Sequence, residues 1–364
     1  MQWYPLRLTT PIKQHIFGGR AIAQRWGRSG LPDGRVAETW EVSDVDGDEA
    51  AVVDGPLSGR PLRELVREAP AELVGRGWSG TRFPMLTKYI DAAGALPVHL
   101  HADDEDARRF EQQTNGKTEA WHILDAAPGA TALVGVRPGI DREALRRALL
   151  DQDFDAVMRR LPLRAGQTLY VPGGTLHSFG PDTLIYEIEQ TSDIQQHAMT
   201  WRMEDGSPLD ETQRRANIDR LLVEWKPACR PVFHPGLSLP SNDDTQRTVL
   251  CAGPYFALER HQAGSAEQLA IDLDTAVILS NAGAAATLTA PHGWSGTLDR
   301  ARTFLLPAAL GRVEIDGPAD VLIGYLPDLD RDIRAPLLAA GHRAAAIASL
   351  GEGLGNPHAA PGGA

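Results

Sequence analysis

Four side chains have the types and spacing to hold a metal ion. In LPVHLHADDEDARR, Leu96–Arg109, His99 and His101 are separated by one residue. GKTEAWHIL, Gly116–Leu124, offers Glu119. GQTLYVPGGTLHSFG, Gly166–Gly180, offers His177 just past a PGG turn. Residues i and i+2 of a strand share a face, so an extended 97–101 segment sets His99 beside His101 and sends Leu100 the other way. Imidazole nitrogens with one carboxylate oxygen suit Zn, Mn, Fe or Ni. Glu105, closer to the histidine pair, rivals Glu119 as the carboxylate. Asp103, Asp104 and Asp106 read as solvated loop carboxylates.

These residues need strands to aim them. AETWEVSDVDGDEAAVV, with its DG turn, reads as a hairpin. PLRELVREAPAELVGRGW reads as a short helix, a Pro break and another turn, and TRFPMLTKYIDA as a buried strand. IDREALRRALLDQDFDAVMRRL has helical periodicity, giving a helical insert at about 139–162, and Thr212–Val223 is helical again within about 210–224. LRAGQTLYVPGGTLHSFGPDTLIYEIEQ is strand–turn–strand–turn–strand. After Pro227, evenly spaced short β runs predict a second barrel or sandwich. The closing GEGLGNPHAAPGGA has too little apolar content to pack.

The chain has 364 residues, 42% of them hydrophobic and 23% charged, enough for two cooperating cores. Its net charge of −12 is spread without a basic stripe, which argues against nucleic acid as a partner. Cys229 and Cys251 make no disulfide framework and no CxxC motif. No long apolar run points to a membrane, and the chain reads as a soluble cytoplasmic protein.

Gly166, Pro172, Gly174 and His177 fit G-x5-P-x-G-x2-H, which with the preceding HxH resembles the two motifs of the cupin superfamily. More narrowly, the chain resembles the type I mannose-6-phosphate isomerases in their shorter bacterial form. The resemblance rests on PIKQHIFGGR, ETWEVSD, HLHADDEDA, GKTEAWHIL, VPGGTLHSFG and YEIEQTSD, in order, and runs from about residue 5 to about 330. It implies a mainly β fold: a metal-binding cupin (jelly-roll) barrel with helical inserts over 1–225 and a second cupin-like β domain without metal ligands over 226–335; residues 336–364, past the resemblance, read as a C-terminal helix and disordered tail. It places the metal on His99, His101, Glu119 and His177, and favours Glu119 over Glu105. The implied cofactor is one divalent ion, zinc first, manganese or iron next. The implied partner is a small-molecule sugar or sugar phosphate, bound by a monomer or homodimer.

Departures from the family pattern bear on the substrate. His99 stands where the family has Gln, and Pro97 where it has a Ser near the substrate phosphate. His197 stands where it has an Arg. Pro offers no hydroxyl or N–H, and His lacks the permanent charge and fork of Arg. The resemblance therefore implies an aldose–ketose isomerase with altered substrate. A metal-cupin oxygenase and a non-catalytic sugar-binding cupin remain alternatives. Glu187 and Lys117 match pocket residues of the family, and His197 is a third candidate acid or base. Glu38 is a candidate pocket residue, and Trp121 and Trp201 are candidates for stacking. His15 and the other histidines show no ligand grouping.

Overall fold

The computed structural model describes residues 1–240, 245–264 and 267–355. The first half supplies β1 (Ile12–Lys13), β2 (Glu38–Val42), β3 (Met85–Ala92), β4 (His99–Leu100), β5 (Glu119–Ala126), β6 (Thr131–Val136), β7 (Met158–Pro162), β8 (Thr168–Val171), β9 (His177–Phe179), β10 (Thr183–Gln190) and β11 (Gln196–His197). They form a six-stranded sheet, β1-β2-β3-β10-β5-β8, and a five-stranded one, β11-β4-β9-β6-β7.

The second half supplies β12 (Leu237–Leu239), β13 (Thr245–Ala252), β14 (Ala257–Ala263), β15 (Gln268–Asp272), β16 (Val277–Asn281), β17 (Ala286–Ala290), β18 (Trp294–Leu298), β19 (Thr303–Leu306), β20 (Arg312–Asp316) and β21 (Ala319–Tyr325). These form β12-β13-β14-β21-β16-β19 and β15-β20-β17-β18. In each half the third strand of the large sheet pairs with that half's long late strand, so the two halves repeat one plan. This is the mainly β cupin architecture that the motifs imply.

Strands β3 and β10 are buried along their whole length. Alternation splits their faces. Lys88 and Glu187 line a cavity in the first half. Tyr89, Tyr186 and Ile188 face the other way, into a core shared with Leu279, Phe304 and Leu305. Ser280 donates to the Tyr186 hydroxyl at 3.1 Å, and Leu6 pairs with Leu305 of β19. The hydrophobic core therefore runs continuously from one half to the other.

The helix Arg142–Asp151 is capped by Asp141, which accepts from the Ala144 N–H, and the helix Glu211–Glu224 by Asp210. Their apolar faces, with Leu145, Leu149, Ile218 and Leu221, share a cluster with Leu100 and Leu176. Burying Leu100 here is what turns His99 and His101 to the opposite side.

Four local expectations need correction. Glu38–Val42 is no hairpin arm: it pairs with β1 and β3, and residues 45–48 only turn the chain. The helical insert stops at Val157, and Met158–Pro162 is a strand paired with β6. Of the closing segment, residues 351–355 do pack: Leu354 is buried and Tyr170 donates to Glu352. The remainder of that tail, 356–364, lies outside the described residues. Finally, the run after His101 is helical at Asp104–Asp106, with Asp103 as its N-cap. Among the described residues, no helix is long and apolar enough to cross a membrane.

Candidate metal centre and active site

His99 opens β4 and stands opposite His177 on β9. Glu119 opens β5, which runs in the facing sheet. The PGG turn before His177 needs its glycines. Gly174 has φ +85, and a Cβ on Gly173 would lie 2.7 Å from Asp103 Cα. The acidic run clips the same region together. Lys226 Nζ lies 3.0 Å from Asp103 and 2.6 Å from Asp106. Asp104 Oδ1 accepts from the Gly116 N–H at 2.8 Å and from Gln190 at 3.0 Å. These carboxylates are structural fasteners rather than solvated ones, and Asp106 is buried. Glu105 is exposed.

The three histidines and Glu119 are buried together. His99 Nε2 lies 2.8 Å from His177 Nε2. Glu119 reaches His101 Nε2 at 3.1 Å and His177 Nε2 at 3.2 Å. Each Nδ1 meets a backbone carbonyl: His99 at Pro97, 2.8 Å; His101 at Ile194, 2.7 Å; His177 at Thr175, 2.8 Å. A carbonyl only accepts, so each Nδ1 carries the proton and each Nε2 presents a lone pair. Burial, then the neighbouring histidines, hold His99 well below the usual range; burial, then Lys117, bring His101 down to about 3.

Facing lone pairs repel unless a cation lies between them. The separations also resemble the roughly 3.3 Å edges of a tetrahedron with zinc–nitrogen bonds of about 2.0–2.1 Å. The donor set thus fits one first-row divalent ion. Burial opposes ionisation of Glu119, but His101 and His177 outweigh it and hold the carboxyl well below its ordinary value. The Trp121 N–H fixes its Oε1 at 2.8 Å.

Of these donors His99 and Glu119 line a cavity of about 310 Å³, with His101 and His177 packed behind them, and its wall also carries Glu38, Trp40, Lys88, Lys117, Trp121 and Glu187. Lys88 sits 2.9 Å from Glu189, 3.4 Å from Glu187 and 3.8 Å from Glu38. Lys117 lies 3.1 Å from Glu189 and 3.8 Å from Glu119. Burial disfavours both ammonium groups, yet the carboxylates raise both lysines above their ordinary values. Two of the three carboxyls beside Lys88, Glu38 and Glu187, are driven apart. Burial opposes the charge on Glu38, but Lys88, His15 and the Trp40 N–H outweigh it, so its carboxyl is lowered. Burial, then Glu119 and Glu189, push Glu187 well above the ordinary range.

Sequence reasoning missed Lys88, Trp40 and His15 as lining residues. A lysine inside a fully buried strand was the available signal for Lys88. His197 is not brought into the cavity. Its strand pairs opposite His99, but its side chain does not line the wall, and its charged neighbours are Glu204 and Arg202. Trp201 does not line it either, whereas Trp121 does.

Lys88→Met should destabilise the fold by about 3–5 kcal/mol, because it strands buried carboxylates without their cation. Denaturant unfolding at neutral pH checks this, and the loss should shrink in acid as those carboxyls protonate. Wild-type stability at neutral pH would refute the network's role.

No protein-family model matches the chain. A mannose-6-phosphate isomerase of Streptococcus mutans is 31% identical over 264 residues, 71% of this chain and 78% of that protein. A probable mannose-6-phosphate isomerase of Bacillus subtilis is 27% identical over 325 residues, 88% of this chain and 99% of the relative. The solved mannose 6-phosphate isomerase from Bacillus subtilis superposes with a TM-score of 0.79 at 25% identity, covering 89% of this chain and all of that one.

Proposed function

Because the chain belongs to the mannose-6-phosphate isomerase family, we propose that it is a metal-dependent aldose–ketose isomerase of sugars or sugar phosphates. One observation carries the reading. The Nε2 atoms of His99, His101 and His177 converge with Glu119 at the edge of a cavity whose wall holds Glu187, a carboxyl whose proton affinity burial raises. The relatives' names favour this over the oxygenase and sugar-binding alternatives.

A divalent cation held by His99, His101, His177 and Glu119, zinc first and manganese or iron next, supplies Lewis-acid polarisation of the substrate's carbonyl oxygen. The interconversion moves a proton between C2 and C1 through a cis-enediol. Glu187 takes the proton from one carbon at its carboxylate and returns it to the other. Its high proton affinity suits a group that must do both. Glu38, held ionised by Lys88 and Trp40, is tuned for binding a hydroxyl rather than for taking a proton from carbon. Lys117 Nζ donates to a substrate oxygen. Trp40 and Trp121 offer flat apolar surface to the C–H face of a sugar ring, and Phe17, Leu96 and Phe179 help keep water out.

The test is interconversion itself, followed by NMR on protein purified without a metal-affinity tag. D-mannose and D-mannose 6-phosphate should be offered in parallel. Activity should vanish with a chelator and return with zinc or manganese. Turnover that survives complete metal removal would refute the metal-dependent reading.

A further inference from the structure

The cavity's charges distinguish its two ends. The inner end holds the metal donors, Lys88, Lys117 and Glu187, all buried. The mouth is marked by the lining residues that reach solvent, and two of these, Asp193 and Glu204, are exposed carboxylates. Among the described residues that line the cavity there is no arginine. Every lining lysine is already matched: Lys88 and Lys117 by the buried glutamates, and Lys13 by Asp48 at 2.7 Å. Lys13 is further held over the Trp40 ring at 4.4 Å. Pro97 contributes wall but no N–H, and its carbonyl is taken by His99.

A sugar whose C1 and C2 reach the inner end must present its far end to the mouth. A phosphate there would bring two negative charges toward two carboxylates, with no unmatched lysine or arginine to receive it and with His15, the lining imidazole outside the metal set, already acting on Glu38. A hydroxymethyl group would instead meet acceptors for its O–H. We infer that the site takes uncharged sugars in preference to their phosphates, with Asp193 and Glu204 as the residues that set this specificity. The inference rests on the isomerase reading above and names its substrate class.

Binding separates the two. Trp40 and Trp121 line the cavity, so tryptophan fluorescence of the zinc-loaded protein can report titration with D-mannose and with D-mannose 6-phosphate. Mannose should bind more tightly, and raising the ionic strength should narrow the gap by screening the repulsion. The double variant Asp193→Asn, Glu204→Gln should shift the affinity ratio toward the phosphate by about tenfold. Tighter binding of the phosphate by the wild type would overturn the inference, as would a ratio that neither salt nor the variant moves. If mannose binds with this preference yet is never converted, the isomerase reading fails while the charge selection stands.

Discussion

His101→Ala should leave the purified protein with little bound metal and lower isomerase turnover by at least about 10³-fold. His101 Nε2 is buried and makes no hydrogen bond, although Glu119 stands 3.1 Å away. Its Nδ1 is committed to the Ile194 carbonyl, so the ring cannot turn to satisfy the orphaned atom without breaking a 2.7 Å bond. A buried acceptor in that state is stabilised when a cation fills the space it faces. Alanine removes one of four donors and opens a void that water would enter. Glu105→Ala is the matching control: its side chain is exposed and should be dispensable for metal. Elemental mass spectrometry on both variants decides between the two carboxylate assignments when Glu119→Gln is added. Full metal in His101→Ala and in Glu119→Gln would remove this ligand set.

Three of the candidate metal donors follow local rules, whereas the choice of Glu119 over Glu105 rests on the family resemblance. Strand alternation pairs His99 with His101, and a glycine turn delivers His177 to the start of a strand. The strand that carries Glu119 is marked by its own alternation. The lysine in TKYIDA marks Lys88 as unusual for a buried strand, but its partners are not legible there, because Glu187 and Glu189 lie on a strand far along the chain. The acidic run misled for the same reason. Asp103 and Asp106 are paired with Lys226, 120 residues beyond Asp106, and no local pattern announces that contact. Met158–Pro162 continues a helical apolar spacing, yet its pairing with Thr131–Val136 wins once tertiary structure offers that edge. His197 stands in register with a family Arg, but alignment of a backbone position does not fix where a side chain reaches. At the end of the chain, Leu354 is a single apolar residue in a polar stretch, and it is buried because Ile333 and Leu337 belong to the cluster that receives it.

Glu187→Gln should lower kcat by about 10²–10⁴-fold while metal content stays at the wild-type level. Glu204 lines the mouth, exposed, while the two buried non-ligand glutamates of the cavity wall, Glu38 and Glu187, are assigned different work by their surroundings. Glu38 accepts from the Trp40 N–H at 2.7 Å and is kept ionised. Burial, then Glu119 and Glu189, raise the proton affinity of Glu187, with Lys88 at 3.4 Å as a partner for its ionised form. Glutamine keeps the size and much of the hydrogen bonding of a protonated carboxyl, so the network around Lys88 should survive and KM should change little. What disappears is the capacity to carry the C2 proton. In deuterated water the wild type should place deuterium at C2 of recovered aldose, because a carboxyl that holds the proton between steps exchanges it with solvent. The variant should lose this exchange together with turnover. Exchange at the wild-type rate in Glu187→Gln would move the proton transfer to another group, with Lys117 and Glu38 the next side chains to replace.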